Sequence, residues 1–253
     1  MARKSRVRME QAYDEIKRRI VTLELLPGQR LDDVELSNEL ALSRTPIREA
    51  IFLLGSEGLI DVKSNAGIIV RPLDLLDIAQ LIEMQFVIVK AVSRLAAERI
   101  DPNQLRQLRS AADEVEAAIK NRDALAITSS NADFHKIEAT AAGNSRLLAV
   151  VRSIEDERQR LAYLCFGGTR PWEDLGDHFR KVVRDHQWLI EAYDAHDPDR
   201  AEKTAVSHVL LYRDRILQYL AAEEPRYTIT GRELRAIALT QDFAGAPEIR
   251  GAG

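Results

Sequence analysis

Apolar residues near the start of the chain recur at helical spacing. A first stripe predicts a helix over residues 9–23 and consists of Ala12, Ile16, Ile20 and Leu23. A second, shorter helix follows, for which Asp32 or Asp33 is a suitable N-cap. A third helix ends near residue 57, and its buried face is predicted to consist of Ile47, Ala50, Ile51 and Leu54. Thr45 and Pro46 suit the N-cap and the first turn of this third helix.

Two short apolar runs come next, at residues 59–63 and 68–71. The small residues between them are typical of the tip of a β-hairpin. Three helices followed by a hairpin, in this order, predict a winged helix-turn-helix domain over residues 9–72. The basic residues 1–8 precede this domain as an arm.

The rest of the chain carries no strand signal before residue 223. Six segments have apolar residues at three- and four-residue spacing, and Gly, Pro, Asp and Asn separate them. The segments are residues 75–99, 103–121, 123–143, 145–166, 172–195 and 197–222. Short connections between helices predict a mainly α fold, whose second domain, over residues 73–222, is an antiparallel bundle of six or seven helices. The polar residues 223–253 form a tail, with one more helix near 231–239 and a disordered end.

Charge and composition narrow the classes of function. The 253 residues carry a net charge of −4, which argues against a protein coated in nucleic acid. However, residues 1–72 hold 12 Lys and Arg against 11 Asp and Glu, so the acidic surplus belongs to the second domain. The single cysteine, Cys165, excludes an intrachain disulfide. Without an apolar run of about 18 residues, the chain is expected to be cytoplasmic and to have no membrane partner.

Arg44 and Arg48 are the first candidates for a functional contact. Their i, i+4 spacing places both on one face of the third helix, near its N-terminus. A recognition helix enters the major groove by this end, and arginine can make a bidentate contact to guanine. Thr45 can reach a phosphate or the amides at the start of the helix. The alternative is two solvated arginines, one of which pairs with Glu49 or Glu57.

The same region resembles the head of the GntR transcription regulators. The resemblance covers about residues 10–71 and is carried by Pro27-Gly28, Leu31, Leu36, Leu40, Ser43-Arg44-Thr45-Pro46-Ile47-Arg48-Glu49-Ala50, Leu54 and Glu57-Gly58-Leu59-Ile60. It implies a homodimer that binds double-stranded operator DNA. By this likeness the contacts to DNA come from Ser43, Arg44, Thr45 and Arg48, and from Asn65 and Gly67 at the hairpin tip. An Arg that some members carry in the second helix is replaced by Val34.

Histidines on three predicted helices are the second candidate site. Asn131 and His135 share one helix face, while His186 and His208 lie among apolar residues of two later helices. Three imidazoles and one oxygen suit a divalent metal ion such as Zn or Ni. The alternative is that each histidine is a hydrogen-bonded residue of the core or of an interface.

These positions resemble the FCD domain of the same regulators, in the FadR-like subfamily, over about residues 75–222. The likeness rests on Asn131-x-x-Phe134-His135, Ala142-Gly143-Asn144, Leu147, His186 and His208. It implies a divalent metal at the floor of a pocket for a small-molecule effector, often an organic acid. Asn131 stands where a carboxylate is also found and is a weaker ligand. His178 and His196 do not match ligand positions, and we expect both at the surface or in loops.

The effector positions depart from the pattern of the family. Gln85 and Val89 stand where members often have Arg and Glu on the first bundle helix. The usual arginine contact to an effector carboxylate is therefore missing. A less acidic or more apolar effector, to which Gln85 can form a hydrogen bond, is expected instead. Arg158 and Arg160 are candidate substitutes, with exposed ion pairing as the alternative for both.

The expected function is therefore a ligand-responsive transcription regulator, with repression as the expected sense. Effector binding in the bundle would change the fit of two heads to two operator half-sites. One alternative is an enzyme that uses the three-histidine site. Against it, no carboxylate has an evident general-base role, since Asp133 and Asp185 are expected to point off the ligand face. Another is a helical dimerisation module without a ligand.

Overall fold

The computed structural model describes residues 2–63, 67–72, 74–167 and 172–222. It divides into two compact units. The first unit comprises the residues up to 73 together with Glu155–Leu164, and the second takes in the rest of the described residues. The tail 223–253, with the helix predicted near 231–239, lies outside the described residues.

The first unit contains three helices and a small sheet in the order of a winged helix-turn-helix. The helices are α1 (Ala2–Val21), α2 (Asp33–Glu39) and α3 (Arg44–Ser56). The strands are β1 (Arg30–Leu31), β2 (Ile60–Lys63) and β3 (Gly67–Val70), in the sheet order β1-β3-β2. Both pairs are antiparallel, with Ile60 opposite Val70 and Leu31 opposite Ile68. The predicted hairpin is therefore present. Strand β1 was not predicted, because its two residues are too few to show an apolar pattern.

The apolar stripes of the first unit meet in one core. Its buried members include Ile16 and Ile20 of α1, Ile47 and Leu54 of α3, and Val70 of β3. Two local details differ from the sequence prediction. Helix α1 begins at residue 2, so the described part of the basic arm is helical. Leu23 does not continue the stripe, because the chain leaves α1 there with a φ of +60°.

The second unit is all helical in its described residues. Its helices are α4 (Leu75–Arg99), α5 (Pro102–Lys120), α6 (Ala124–Ala141), α7 (Ser145–Gly167), α8 (Gly176–Asp194) and α9 (Pro198–Ala222), and α7 also contributes to the first unit. The segment predicted as one helix over 172–195 is divided into a 3-10 turn, Trp172–Leu175, and α8. No described helix is both long enough and apolar enough to cross a membrane.

Small and large apolar residues alternate in the core of the second unit. Alanines on α4, α6 and α9 allow close approach of the helices, while Phe134 and Tyr193 are completely buried among them. Dense packing of this kind fixes the rotamers of neighbouring side chains. It therefore holds the polar residues on the inner faces of α6, α8 and α9 at defined positions.

The middle of α7 carries charged residues that are buried within the first unit. Arg160 is only 2% exposed, and its Nη1 donates to the carbonyl oxygen of Arg71 at 2.7 Å. Burial lowers the pKa of the Arg160 guanidinium to about 10. Arg158 pairs with Glu155 at 3.0 Å, and both side chains are buried. The expectation of exposed ion pairs for the two arginines is thus wrong, because both side chains are buried.

Helix α5 begins with a capping box that offers a local test of stability. Asp101 Oδ1 accepts from the backbone N of Asn103 and Gln104 at 2.8 Å each, and Gln104 Oε1 accepts from the Asp101 N at 3.0 Å. We expect Asp101→Ala to lower the free energy of unfolding by about 1 kcal/mol, because it leaves helix amides without an acceptor. Thermal melting followed by circular dichroism should show a fall of roughly 2–4 °C. Glu114→Ala, on the exposed face of α5, is the control, and an equal melting temperature for both variants would contradict the prediction.

Candidate DNA-reading face and metal centre

The first turn of α3 presents two arginines to solvent. The side chains of Arg44 and Arg48 are 52% and 64% exposed. Arg44 Nη2 lies 3.0 Å from Asp33 Oδ1, and Arg48 Nε donates to Asp33 Oδ2. Their partner is thus Asp33 of α2, rather than Glu49 or Glu57. The hydrogen bonds from Arg48 and then from Arg44 lower the pKa of the Asp33 carboxyl.

Asp33 is free for this role because its neighbour caps the helix. Asp32 Oδ1 accepts from the N of Val34 at 2.7 Å and from the N of Glu35 at 3.1 Å, so Asp32 is the N-cap of α2. Asp33 then holds the two guanidinium groups side by side. Exposed ion pairs contribute about 0–1 kcal/mol, so phosphates or base edges can replace this carboxylate as the partner. The sequence left the choice between the two aspartates open, and the tertiary contact distinguishes them.

The N-terminus of α3 is also open. The N-cap is Ser43, two residues earlier than the predicted Thr45, and its side chain makes no capping hydrogen bond. Ser43 and Thr45 are both exposed. Amides at a helix N-terminus with no side-chain cap suit a phosphate oxygen.

Two further positions of the first unit are exposed. Phe52 lies two turns after Arg44 on the same helix face and is 78% exposed, which the sequence prediction did not single out. Gly67 begins β3 with a φ of +76°, a conformation that favours glycine. Asn65, the other predicted residue at the hairpin tip, lies outside the described residues.

Three histidines meet in the second unit. His135 of α6, His186 of α8 and His208 of α9 each offer a ring nitrogen, and these atoms all lie within 4.8 Å of one another. The ring centroids are 5.9 Å apart for His135 and His186, 5.4 Å for His135 and His208, and 4.9 Å for His186 and His208. Phe134 stacks on the His186 ring at 4.2 Å and fixes its plane.

Buried polar atoms around this cluster fit a divalent metal. His208 Nδ1 and Asp185 Oδ2 are inaccessible to solvent, have no hydrogen-bond partner and lie 3.7 Å apart. Buried polar atoms without a partner destabilise a fold by about 1–3 kcal/mol each, unless something binds to them. A set of imidazole nitrogens with an oxygen nearby is a donor set for Zn or Ni.

The remaining predicted residues of this site occupy different positions. Asn131 lies on α6 one turn before His135 and is half-buried. Gln85 of α4 is 4% exposed, and its Oε1 has no hydrogen-bond partner. His178 is within α8 rather than a loop, with its ring 5.2 Å from that of Phe166. His196 does lie in the turn after α8, where its Nδ1 is 2.7 Å from the carbonyl oxygen of Ala97.

Two acidic residues lie next to the histidines: Glu138, which the sequence prediction missed, and Asp185, which was expected to point off the ligand face and instead lies beside His208. His135 Nδ1 lies 2.6 Å from Glu138 Oε2, and Tyr193 Oη donates to Glu138 Oε1 at 2.6 Å. Asp185 is 1% exposed beside His208. The i, i+3 spacing of His135 and Glu138 was the signal available for the first of these. No local pattern indicated Tyr193, because it lies on another helix.

A cavity of about 370 Å³ reaches His186 from the side of α5 and α8. Its charged lining consists of Arg109, Asp113, Glu116, Glu191 and Asp194. Arg109 pairs with Asp194 at 2.9 Å, Lys120 with Glu116 at 2.8 Å, and Arg200 with Glu191, so three of the four lining carboxylates have a cation beside them. Gln85 is not part of this lining.

Comparison with known proteins identifies the two units. Residues 8–70 match the bacterial regulatory proteins of the gntR family, and residues 80–211 match the FCD domain. The chain belongs to the GntR family of transcription regulators, with an FCD domain. The GntR match includes Arg44 and Arg48, and the FCD match includes all three histidines.

Individual relatives of this GntR regulator agree with the assignment. The HTH-type transcriptional regulator YdhC of Bacillus subtilis is 24% identical over 78% of this chain and 86% of the relative. The HTH-type transcriptional repressor RspR of Escherichia coli is 25% identical over 79% of this chain and 85% of the relative. The solved structure of E. coli McbR/YncC has a TM-score of 0.72, is 18% identical, and aligns over 84% of this chain and 98% of that chain. The relatives are transcription regulators and not enzymes, so the metalloenzyme alternative is set aside.

Proposed function

We propose that this GntR regulator is a cytoplasmic, homodimeric repressor whose bundle holds a divalent metal and senses a small metabolite. The observation that carries the proposal is the meeting of three histidines beside Asp185, whose buried Oδ2 lies 3.7 Å from His208 Nδ1 without a hydrogen bond. The same chain presents two arginines on an exposed helix N-terminus. One polypeptide thus combines a proposed DNA-binding domain, the first unit, with a proposed sensor domain, the second unit.

Operator DNA is the partner that fits the first unit. Arg44 and Arg48 are spaced for the major groove, and guanidinium groups can contact guanine O6 and N7. The uncapped start of α3 suits a backbone phosphate. A homodimer would place two such helices on the half-sites of a palindrome, about one helical turn of DNA apart.

Zinc or nickel is the cofactor that fits the second unit. His135, His186 and His208 would hold the ion, with the amide oxygen of Asn131 as a fourth, weaker ligand. A bound ion would supply a Lewis acid that binds the oxygen atoms of an effector. Gln85 lies on α4, outside the lining of the cavity at His186, and its buried Oε1 would accept a hydrogen bond from an effector that reaches the cluster from the side of α4.

The charge of the cavity supports a particular kind of effector. The one arginine of the lining is already paired with Asp194, so the lining offers no unpaired cation to a multiply charged anion. We therefore expect an effector with one metal-binding acid or carbonyl group and an otherwise neutral or amine-bearing body. Repression is the proposed sense, because the relative RspR is named a repressor.

The experiment uses the full chain and a palindrome selected from random DNA by the protein itself. Small acids, amino acids and ketones are screened by thermal shift against zinc-loaded and chelated protein. We expect a compound that stabilises only the loaded protein and weakens binding to the palindrome by about 5- to 150-fold. Protein that holds no zinc or nickel after loading, or DNA binding that no bound compound changes, would refute the sensor proposal and leave a dimerisation module.

A further inference from the structure

We propose that Glu138 and Tyr193 are positioning residues for the metal centre. Tyr193 orients the Glu138 carboxylate by a hydrogen bond, and Glu138 orients the His135 ring so that Nε2 can bind the metal. This inference rests on the proposed metal site. It concerns residues that do not themselves bind the ion.

The contact between His135 and Glu138 determines which ring nitrogen can bind a metal. Glu138 Oε2 lies 2.6 Å from His135 Nδ1. This contact occupies Nδ1, so Nε2 is the ring nitrogen that remains available to a metal. In the proposed arrangement Nδ1–H donates to the carboxylate and Nε2 carries the lone pair. A histidine that donates one N–H to a carboxylate is the usual arrangement of a metal-binding imidazole.

The contact between Glu138 and Tyr193 keeps the carboxylate in this orientation. Tyr193 reaches it from α8, and its Oη donates to Oε1 at 2.6 Å. Tyr193 is completely buried and Glu138 is 5% exposed, so neither side chain can exchange its partner for water easily. Burial, together with the neighbouring carboxylate, raises the pKa of the Tyr193 phenol. The phenol therefore stays protonated and remains a donor at neutral pH.

The pair also supplies charge that Asn131 does not. Burying a carboxylate in a helical core is unfavourable unless it is hydrogen-bonded or near a positive charge. The hydrogen bonds from His135 and Tyr193 stabilise Glu138, and a divalent ion on the far side of the His135 ring would stabilise it further. In return, the carboxylate makes the imidazole a stronger donor to the metal. Glu138 thus compensates for a neutral oxygen at position 131.

The test measures metal binding to the full-length chain by competition with a zinc-chelating dye. The variants are Glu138→Gln, Glu138→Leu and Tyr193→Phe, and Glu98→Gln, exposed on α4, is the control. We expect affinity to fall by about 10- to 100-fold in both Glu138 variants, by less in Tyr193→Phe, and to be unchanged in Glu98→Gln. In zinc-loaded protein, the His135 Nδ1–H resonance should be present in the wild type and absent from Glu138→Leu. Cobalt-loaded protein should show an altered visible spectrum in both Glu138 variants.

Each outcome decides one question. If the wild type holds no metal, the proposed metal centre is refuted and the inference with it. If the wild type holds metal and the Glu138 variants bind it equally well with the same cobalt spectrum, the positioning role is refuted and the metal centre stands. If Glu138→Leu does not fold, Glu138→Gln and Tyr193→Phe decide the question, because they preserve the shape of the side chain.

Discussion

Replacing Arg44 and Arg48 with alanine is expected to abolish specific operator binding. Each bidentate contact between arginine and guanine contributes about 1–3 kcal/mol, so the double variant should bind its palindrome roughly 30- to 20,000-fold more weakly. The core of the first unit is unaffected, because both side chains are more than half exposed. Fluorescence anisotropy with the selected palindrome measures the affinity.

Sequence discrimination and salt dependence show whether the two arginines contact bases or phosphates. If the arginines read bases, the double variant should bind the palindrome and a scrambled duplex with similar affinity. If they contact only phosphates, binding to both duplexes should weaken together and the salt slope should fall by about one for each arginine. Arg106→Ala, exposed on α5, is the matched control. Unchanged discrimination in the double variant would show that other residues read the operator.

Removing one histidine of the cluster is expected to abolish stable metal binding. Structural zinc sites in small domains bind with about 10–16 kcal/mol, so one of four ligands corresponds to roughly 3 kcal/mol and a loss of 100- to 1,000-fold in affinity. We expect this loss in His135→Ala, His186→Ala and His208→Ala. Metal content by mass spectrometry and isothermal titration calorimetry with Zn²⁺ and Ni²⁺ measure it.

His196 provides the matched control for this experiment. It is a histidine of the same unit, but it contacts the carbonyl oxygen of Ala97. Its φ of +47° is a conformation that asparagine tolerates well, so His196→Asn should fold normally and retain the metal. Stoichiometric metal in all three cluster variants would mean that the ion binds elsewhere, and the proposal for the second unit would then be wrong.

Much of the fold could be predicted because its signals are local. The bounds of α4, α5, α6 and α9 follow from periodicity and from their flanking Asp, Asn, Pro and Gly residues, and they agree with prediction within about two residues. The predictions that failed concern short or ambiguous segments. The start of α3 lies at Ser43 rather than at Thr45, and the turn before α8 has no side-chain cap to mark it.

In the candidate sites, too, contacts within one helix could be predicted from the sequence, whereas contacts between helices could not. The sequence by itself determined that Arg44 and Arg48 share a face, as do Asn131 and His135, because residues four apart in a helix are always neighbours. It also showed which family these patterns resemble. Only the tertiary structure decided that Asp33 holds both arginines, that three histidines from α6, α8 and α9 meet, and that Tyr193 supports Glu138. Those contacts join residues far apart in the chain, and packing of whole helices, rather than helical spacing, brings them together.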